Sequence, residues 1–560
     1  MRCHATGTLA VVALILTATS LAPQASATGM TPVYETTLSN HFLPSGRGLV
    51  VDDGGHAFVI GRWVGDQQEN NIVVARISND GELLWSRDIA GQDHDHATDL
   101  ALDASGDLIV CGWTDSDDFP LVDPIVMPTN FRDAFVMRLA AGDGEIVFST
   151  RLGGSYSDHA GGLAIDTDGS IVVAGHTASP DFPTVDALQD ELNGPAYQYD
   201  DVFVTRLSPD GGSIRYSTYL GGGHDDRTSG LALGPDGQLV VVGTTWSDDF
   251  PVRNAVQPGH AGGSSDLFVA SLEPGGGFLE YATYLGGEDV DRASNLVTGP
   301  DGSVYLAGIT RSIGFPTTAG AFQEAFVGGI DACEIPFGGD YNCEDGVIAR
   351  LTPAGDLVFS SFVGGSHVDE LRDLDVRDDG SVGIVGYSRS SDFPPDGIEG
   401  SASIVVRRLD GLGSEILEEF TIFSSAANAG HGIGIGPGGD LHITGSIGNP
   451  AELYVARLSS GTVTGAPETP RSTAAIELAP AYPNPFNPST ELSFRLPRAA
   501  HVRLVVHDAR GRRIDVLADA TYAAGEHHVR WRPEQVRSGV YYARLAVEGE
   551  IRTGKLVLLK

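Results

Sequence analysis

The stretches IRYSTYLGG (214–222), GLALGPDGQLVVVG (230–243), DLFVASL (266–272) and LEYATYLGG (279–287) decide the fold. Each apolar run is four to seven residues long, rich in Val, Tyr, Phe and Leu, and ends in a glycine-bearing turn, which is the pattern of antiparallel hairpins. Working outward, a β-run closed by glycine recurs as AFVIG, LIVCG, IVVAG, LVVVG, VYLAG, VGIVG and LHITG, ending at Gly61, Gly112, Gly175, Gly243, Gly308, Gly386 and Gly445. A strand such as GLAID or GLALG precedes each run. A third strand follows (VVARIS, FVMRLA, FVTRLS, FVASLE, VIARLT, VVRRLD, YVARLS), and then a fourth (LLWSRDI, IVFSTRL, IRYSTYL, LEYATYL, LVFSSFV, LEEFTIF). The closing glycines lie 51 to 78 residues apart with no helical period between them. Four-stranded antiparallel units in radial array are propeller blades. The expected fold class is all-β, a seven-bladed β-propeller followed by a small Ig-like β-sandwich.

The two ends of the array complement one another. The seventh unit has three strands and then a Gly/Thr/Pro-rich segment from about Ser459, while Val33–Leu38 (VYETTL) resembles a fourth strand. Seating that segment on the last unit would remove two open sheet edges. The expected domains are a signal peptide at 1–27, the propeller at 28–458, a linker at 459–475 and a C-terminal domain at 476–560. The signal peptide rests on Arg2, the apolar run Leu9–Leu21 and the small-residue site Ala25-Ser26-Ala27. That run is shorter than the ~20 residues a spanning helix needs, and no later segment is long and apolar enough, so no transmembrane segment is expected after signal removal.

Composition narrows the partners. The chain has 560 residues and a formal net charge of −39. Residues 475–560 hold 13 basic and 9 acidic side chains, a net of +4, so the remainder carries −43. Clustered cations for nucleic-acid binding are missing. In an oxidising compartment, Cys333 and Cys343 in the insertion DACEIPFGGDYNCED read as a local disulfide, and Cys111 as a small buried hydrophobe.

The motifs YSTYLGG, YATYLGG, SPDFP (179–183), SDDFP (247–251), DVFVTRL (201–207) and DLFVASL resemble the bacterial SBBP-type β-propeller repeat over about residues 33–458. The first unit departs by lacking DFP, and the seventh lacks both DFP and the GG pair. The resemblance implies a fold and an extracytoplasmic setting, and no established chemistry.

Strand direction sorts the connections by face. Turns between strands one and two, and three and four, share one face. Loops between strands two and three share the other with the linkers between units, and this linker face carries everything irregular, where binding groups concentrate. It holds Asp118, Asp181, Asp249 and Asp392 of the DFP loops, and Asp95, Asp158, Asp226, Asp291 and Asp369 of the linkers. These carboxylates are the expected ligand-binding face, with Ca2+ as a candidate cofactor because it takes 6–8 oxygen ligands. The competing reading is local: Phe plugs the space between blades, Pro fixes the turn and Asp accepts backbone N–H bonds. Third-strand Arg76, Arg138, Arg206, Arg350, Arg408 and Arg457 form either an anion ring or repeated Arg–Asp pairs. His94, His96, His159, His224 and His367 also fall in linkers, where the default is a solvated side chain. No GxSxG, HExxH or P-loop motif is present.

The C-terminal segment carries, in order, YPNPFNPST (482–490), VRLVVHDARGRRI (502–514), AAGEHHVRW (523–531), SGVYYARLAV (538–547) and RTGKLVLLK (552–560). This resembles the type A C-terminal sorting domain of type IX secretion substrates. Asn484, Pro485, Asn487, Pro488, Gly511 and Gly539 match its motif. The resemblance implies the type IX secretion machinery as a partner, and the outer-membrane surface or surroundings of a diderm bacterium, reached via the periplasm, as destination. The expected function is a non-catalytic binding or adhesion module for a glycan or surface protein. The alternatives are a carbohydrate-active hydrolase or lyase and a purely structural surface-layer component.

Overall fold

The computed structural model describes residues 25–28, 30–38, 45–64, 70–125, 131–195, 197–329, 333–334, 340–341, 343–393, 402–423, 429–448 and 452–460, and most of 477–478 and 486–558. It comprises two units, Met1–Gly461 and Thr462–Lys560.

The first unit is built from repeated four-stranded antiparallel sheets, each in chain order, as the hairpin spacing requires. Strands Asp158–Ile165, Ile171–Thr177, Asp201–Leu207 and Ile214–Leu220 form one, and Asp226–Leu233, Leu239–Thr245, Asp266–Leu272 and Leu279–Leu285 the next. The pattern repeats over 45–89, 95–152, 291–363, 369–423 and 429–460. Each first strand lies against the first strand of the following sheet, and Ala429–Ile435 of the last returns to Ser45–Val51 of the first. The array is all-β and propeller-like.

The N-terminal segment closes it. Met30–Leu38 pairs antiparallel with Glu452–Ser460, with Thr36 opposite Val455 and Leu38 opposite Leu453. A further strand, Ala25–Thr28, adds to Ile416–Phe423 of the preceding sheet; three of its four residues precede the processing point expected after Ala27.

The core lies between sheets. Val172, Ala174, Val202 and Val204 of one pack on Leu231, Val241 and Phe268 of the next, so a sheet face apolar on alternate residues is buried only by its neighbour. Two devices recur at these seams. The positive-φ glycine of a three–four turn receives an aromatic ring from the preceding sheet: Gly144 takes Trp85, Gly211 Phe148, Gly276 Tyr216, Gly355 Tyr281 and Gly413 Phe359. Third-strand arginines pair with an acid of their own sheet and reach a turn carbonyl of the next. Arg76 holds Asp52 at 2.8 Å and Ala141 O at 3.0 Å, and Arg350 holds Asp301 at 2.7 Å and Gly411 O at 3.0 Å. Both devices also cross the seam between last and first sheets, where Tyr34 covers Gly81 and Arg457 donates to Asn79 O at 3.0 Å.

Every first strand carries a β-bulge at the same place, at Arg47, Thr98, Gly161, Ser229, Ser294, Arg372 and His431. Such an extra residue breaks the ladder and re-aims the chain. The first strands enclose a channel of about 950 Å³ whose wall includes Leu49, Asp99, Leu163, Leu231, Asn295, Asp373 and Ile433. Seam bonds knit this wall: Thr98 Oγ1 donates to Ala160 O at 2.9 Å, Ser229 Oγ to Ala293 O at 2.9 Å, and Ser294 Oγ to Leu371 O at 2.6 Å.

In the insertion, Cys333–Glu334 pairs with Asp340–Tyr341. Cys343 is buried and disulfide-bonded, while the Cys333 side chain lies outside the described residues. Cys111 is a buried free thiol. Among the described residues no helix is long and apolar enough to cross a membrane.

The second unit has two antiparallel sheets. One holds Glu477–Leu478, Thr490–Leu496 and Gly525–Trp531, and the other has the order Arg513–Tyr522, Ala500–Asp508, Gly539–Val547, Glu550–Leu558. Both bury side chains in one core that includes Leu492, Phe494, Trp531, Leu545 and Leu556. Phe486 packs on Trp531 at 5.4 Å, and Gly539 opens its strand. Asn484, Pro485, Asn487, Pro488 and Gly511 lie outside the described residues.

Candidate functional site

The repeated carboxylates are absorbed by the scaffold. Asp95, Asp158, Asp226, Asp291 and Asp369 each open a first strand and are enclosed, at most 1% exposed. Asp226 Oδ2 accepts from Gly222 N at 2.7 Å and Ser247 Oγ at 3.0 Å. Asp95 accepts from Gly91 N at 2.6 Å, Thr114 Oγ1 at 2.5 Å and Ser116 Oγ at 3.1 Å. Asp158 and Asp291 have the same three kinds of donor, and Asp369 accepts from Gly365 N at 2.6 Å and Ser390 Oγ at 2.7 Å. These five residues present no surface to a ligand. The DFP carboxylates are exposed but tie down the linkers. Asp118 accepts from Gln92 N at 2.8 Å, Asp181 from Ser155 N at 2.8 Å, Asp249 from Gly223 N at 2.7 Å and Asp392 from Ser366 N at 2.9 Å. Where Gly314 replaces the DFP aspartate, the linker's Glu288 accepts from Gly314 N at 3.1 Å, so the same link is made in reverse. The phenylalanines Phe119, Phe182, Phe250, Phe315 and Phe393 are all buried. Among the described residues no group of three or more His, Cys, Asp or Glu side chains is arranged to hold a metal ion.

What remains on the linker face is what does not repeat. The penultimate residue of the second strand is Trp113, His176, Thr244, Ile309 or Tyr387 in successive sheets, and the second residue of the first strand is His96, His159, Arg227, Arg292 or Glu370. Pairing register sets these two positions opposite each other. His96 stacks on Trp113 at 5.0 Å, Trp113 meets the edge of His159 at 5.8 Å, and His159 stacks on His176 at 4.6 Å. A strip of rings therefore crosses from one sheet to the next. Arg132 lies over Trp113 with Cζ 3.9 Å from the ring centre. Asp115 holds it with two bonds of 2.7 Å, and its Nη1 donates to His159 Nε2 at 3.2 Å. That contact puts the His159 proton on Nδ1. Arg227 continues the strip, pairing with Asp200 at 3.0 Å and facing Trp246 at 5.7 Å.

Beside the strip stands a second set of rings from the same loops. Phe131 stacks on Tyr156 at 5.9 Å, Tyr156 meets Tyr197 at 5.4 Å, and Tyr199 meets His224 at 5.0 Å. Phe131 is 56% exposed and Tyr197 65% exposed. Tyr197 has φ +59°, a conformation disfavoured for a non-glycine residue and concentrated at functional sites. Exposed, mutually braced aromatic rings next to planar polar groups are the equipment of a carbohydrate or ring-bearing ligand site.

The electrostatics of the strip are set by burial. Desolvation, then the neighbouring His176 and Arg132, push His159 down to about 3. Desolvation and then Arg227 push His176 to about 3. Both imidazoles are neutral at physiological pH, and the buried Nδ1 atoms of both lack hydrogen-bond partners. Among the sequence-selected histidines, His96 and His159 belong to this strip and His224 to the outer rings. His94 Nδ1 accepts from Asn70 N at 2.9 Å, and His367 lies near Ser366. Sequence reasoning missed Trp113, Arg132, Tyr156, His176, Tyr197 and Tyr199. The usable signal was the failure of the repeat at fixed positions.

No family model matches the chain, and no curated protein does. Solved structures with related architecture include an ulvan lyase described as a new family of polysaccharide lyase (11% identity, TM-score 0.43, 75% of this chain and 96% of that one). Others are a protein of unknown function from Dyadobacter fermentans (12% identity, TM-score 0.38, 77% and 100%) and a gluconolactonase from Xanthomonas campestris (12% identity, TM-score 0.29, 72% and 96%). Likeness at this level carries no argument about activity.

Proposed function

We propose that this chain is an exported seven-bladed β-propeller with an Ig-like sorting domain, and that its linker face binds a carbohydrate chain. Export rests on the signal-like residues 1–27 and on the order of motifs in 476–560, which resembles a type IX sorting domain. The single observation that carries the binding reading is the two-part aromatic patch, Trp113 with Arg132 and His159 beside Phe131, Tyr156 and Tyr197. Arg132 in the patch and Arg227 beside it are both ion-paired, so they act as fixed N–H donors rather than free charge. With a net charge of −39 the molecule repels polyanions, which favours a neutral glycan.

The test is calorimetric titration of the full chain against a panel of neutral and acidic polysaccharides. Trp113→Ala and Tyr197→Ala should each weaken binding of a neutral glycan at least ~10-fold, since a ring contact in such sites contributes about 1.5 kcal/mol or more, with circular dichroism unchanged. Equal binding by both variants sinks the reading. A lyase or hydrolase acting at the same place is the second reading. It is favoured by the two stacked imidazoles His159 and His176 beside Arg132. Appearance of new chain ends in the same titration distinguishes it.

A further inference from the structure

A second set of aspartates, opening the third strands, has a different environment from the linker set. Asp133, Asp201, Asp266 and Asp345 are wholly buried. Each faces the linker aspartate of the next sheet, giving the pairs Asp133/Asp158, Asp201/Asp226, Asp266/Asp291 and Asp345/Asp369. A methyl group placed on Gly221 would lie 2.5 Å from Asp201 Oδ1 and 2.9 Å from Asp226 Oδ2, and one on Gly286 2.4 Å from Asp266 Oδ1 and 2.9 Å from Asp291 Oδ2. The first glycine of LGG is small because two carboxyl groups close over it.

The linker aspartates accept on Oδ2 from a glycine N–H and a serine hydroxyl; Asp291 also accepts from Thr310 Oγ1 on Oδ1, while Oδ1 of Asp226 and of Asp369 is buried without a partner. The third-strand aspartate uses only Oδ2. Asp201 Oδ2 accepts from Asn193 N at 2.7 Å and Gln189 Nε2 at 3.0 Å, Asp266 Oδ2 from Ala261 N at 2.8 Å and Gln257 Nε2 at 3.2 Å, and Asp345 Oδ2 from Val327 N and Gly328 N at 3.1 Å. The Oδ1 atoms of Asp201, Asp266 and Asp345 are buried without a hydrogen-bond partner.

The protein also contains two natural controls. In the first sheet the equivalent residue is Asn71, an amide that cannot ionise, also buried, and Ala90 replaces the small glycine. In the second sheet Arg151 reaches into the pair and sits 3.3 Å from Asp133 Oδ2. One junction thus removes the second charge and another neutralises it. At the other three no cationic partner bonds the pair. His260 faces Asp266, and Arg407, itself committed to Glu419, faces Asp369. The remaining charged neighbours, Asp200 and Asp249 near the first pair, Asp248 near the second and Asp392 near the third, are acids.

We infer that each of the pairs Asp201/Asp226, Asp266/Asp291 and Asp345/Asp369 holds one proton between its two carboxyl groups at neutral pH, making three of the sheet junctions protonated seams that alkali loosens. Two ions side by side in a dry site cannot both persist. A proton needs only one open oxygen, whereas a metal needs several ligands, and among the described residues no group of three or more His, Cys, Asp or Glu is arranged to hold one. Burial comes first in raising all six groups. The opposing acid adds to it at Asp201 (about 8), Asp345 (about 7) and Asp291 (about 7), and the neighbouring Asp249, Asp392 and Asp248 add to it at Asp226 (about 6), Asp369 (about 7) and Asp266. The folded chain keeps protons that the unfolded chain releases above its ordinary carboxyl value of 3.8. Stability from these junctions is therefore fullest in acid, falls as pH rises from about 4 to about 8, and is flat beyond.

The test compares the full chain with the triple variant Asp201→Asn, Asp266→Asn, Asp345→Asn, which copies Asn71. Difference infrared spectra at pH 7 should show protonated-carboxyl absorption in the parent that the variant lacks. Unfolding followed from pH 5 to pH 9 should show a slope smaller in the variant by roughly three protons, one per junction, and a higher thermal midpoint for the variant at pH 9. Three outcomes overturn the inference. One is a difference spectrum without the acid band. Another is a variant less stable than the parent at pH 9. The third is a parent whose midpoint falls with chelator and recovers with added Ca2+ or Mg2+, which would assign the seams to a metal cation.

Discussion

Whether the array closes through its own N-terminus is decided by one glycine. Gly81 has φ +87°, and a Cβ built on it would sit 2.7 Å from Cγ and 2.8 Å from Cδ2 of Tyr34, in the strand Met30–Leu38. Gly81→Ala therefore meets two separate penalties. The left-handed backbone costs an alanine about 1–2 kcal/mol, and displacing the tyrosine ring costs about 1–3 kcal/mol as overpacking. The sum, about 2–5 kcal/mol, should lower the urea midpoint at unchanged slope. The backbone penalty is local and exists whatever lies above the turn. The ring penalty exists only if Tyr34 is there. Tyr34→Ala made together with Gly81→Ala should then cost less than the sum of the single changes, with a coupling of about 1–3 kcal/mol read from the double-mutant cycle. Thr36 Oγ1, which donates to Gly81 O at 3.0 Å, remains in both backgrounds. Strict additivity of the two substitutions would show that the N-terminal strand is not seated on the first sheet.

Arg457→Ala removes the bond to Asn79 O and the pairing with Asp440 at the same seam. It should cost about 2–3 kcal/mol and make residues 30–38 the earliest protease cleavage site, checked by limited digestion and mass spectrometry. Phe250, 2% exposed and stacked on Phe268 at 4.4 Å, should cost about 3–5 kcal/mol when changed to Ala, measured by urea unfolding. Asp249→Ala, which frees only Gly223 N, should cost about 1 kcal/mol, and equally so with or without Ca2+; a calcium-dependent loss would restore the cation reading of the DFP loops.

The scaffold was legible because its physics recurs. A turn of type GPDG needs glycine in the left-handed region wherever it occurs, as at Gly237 and Gly302. A sheet face needs its apolar alternation wherever it is covered, and VYETTL matches IRYSTYL because it does the same work against the next sheet. The Arg–Asp pairs followed from the same logic. The site was not legible, for the complementary reason. Trp113 and His176 lie at one repeat position, opposite His96 and His159, and only the register makes the four rings a strip across two sheets. Arg132 and Tyr197 come from the later, non-repeating parts of the loops between strands two and three, so nothing in the spacing announced that one caps Trp113 and the other extends the row from Tyr156.

The acidity of the chain takes on a different meaning once each carboxylate is placed. A first-strand entry turn leaves a glycine N–H and two hydroxyls pointing inward, and only a carboxylate accepts three donors at once; hence Asp95, Asp158 and Asp291. A hairpin turn leaves N–H groups that Asp52 and Asp103 collect, and the same carboxylates then meet Arg76 and Arg138. Charge therefore accumulates by repetition: a neutral propeller of this design would have to solve each turn with a weaker acceptor. The excess over the 35 basic residues follows from loop chemistry multiplied along the array. A carboxylate enclosed by donors from its own turn is part of the frame, and the rings on the linker face are what the frame does not need.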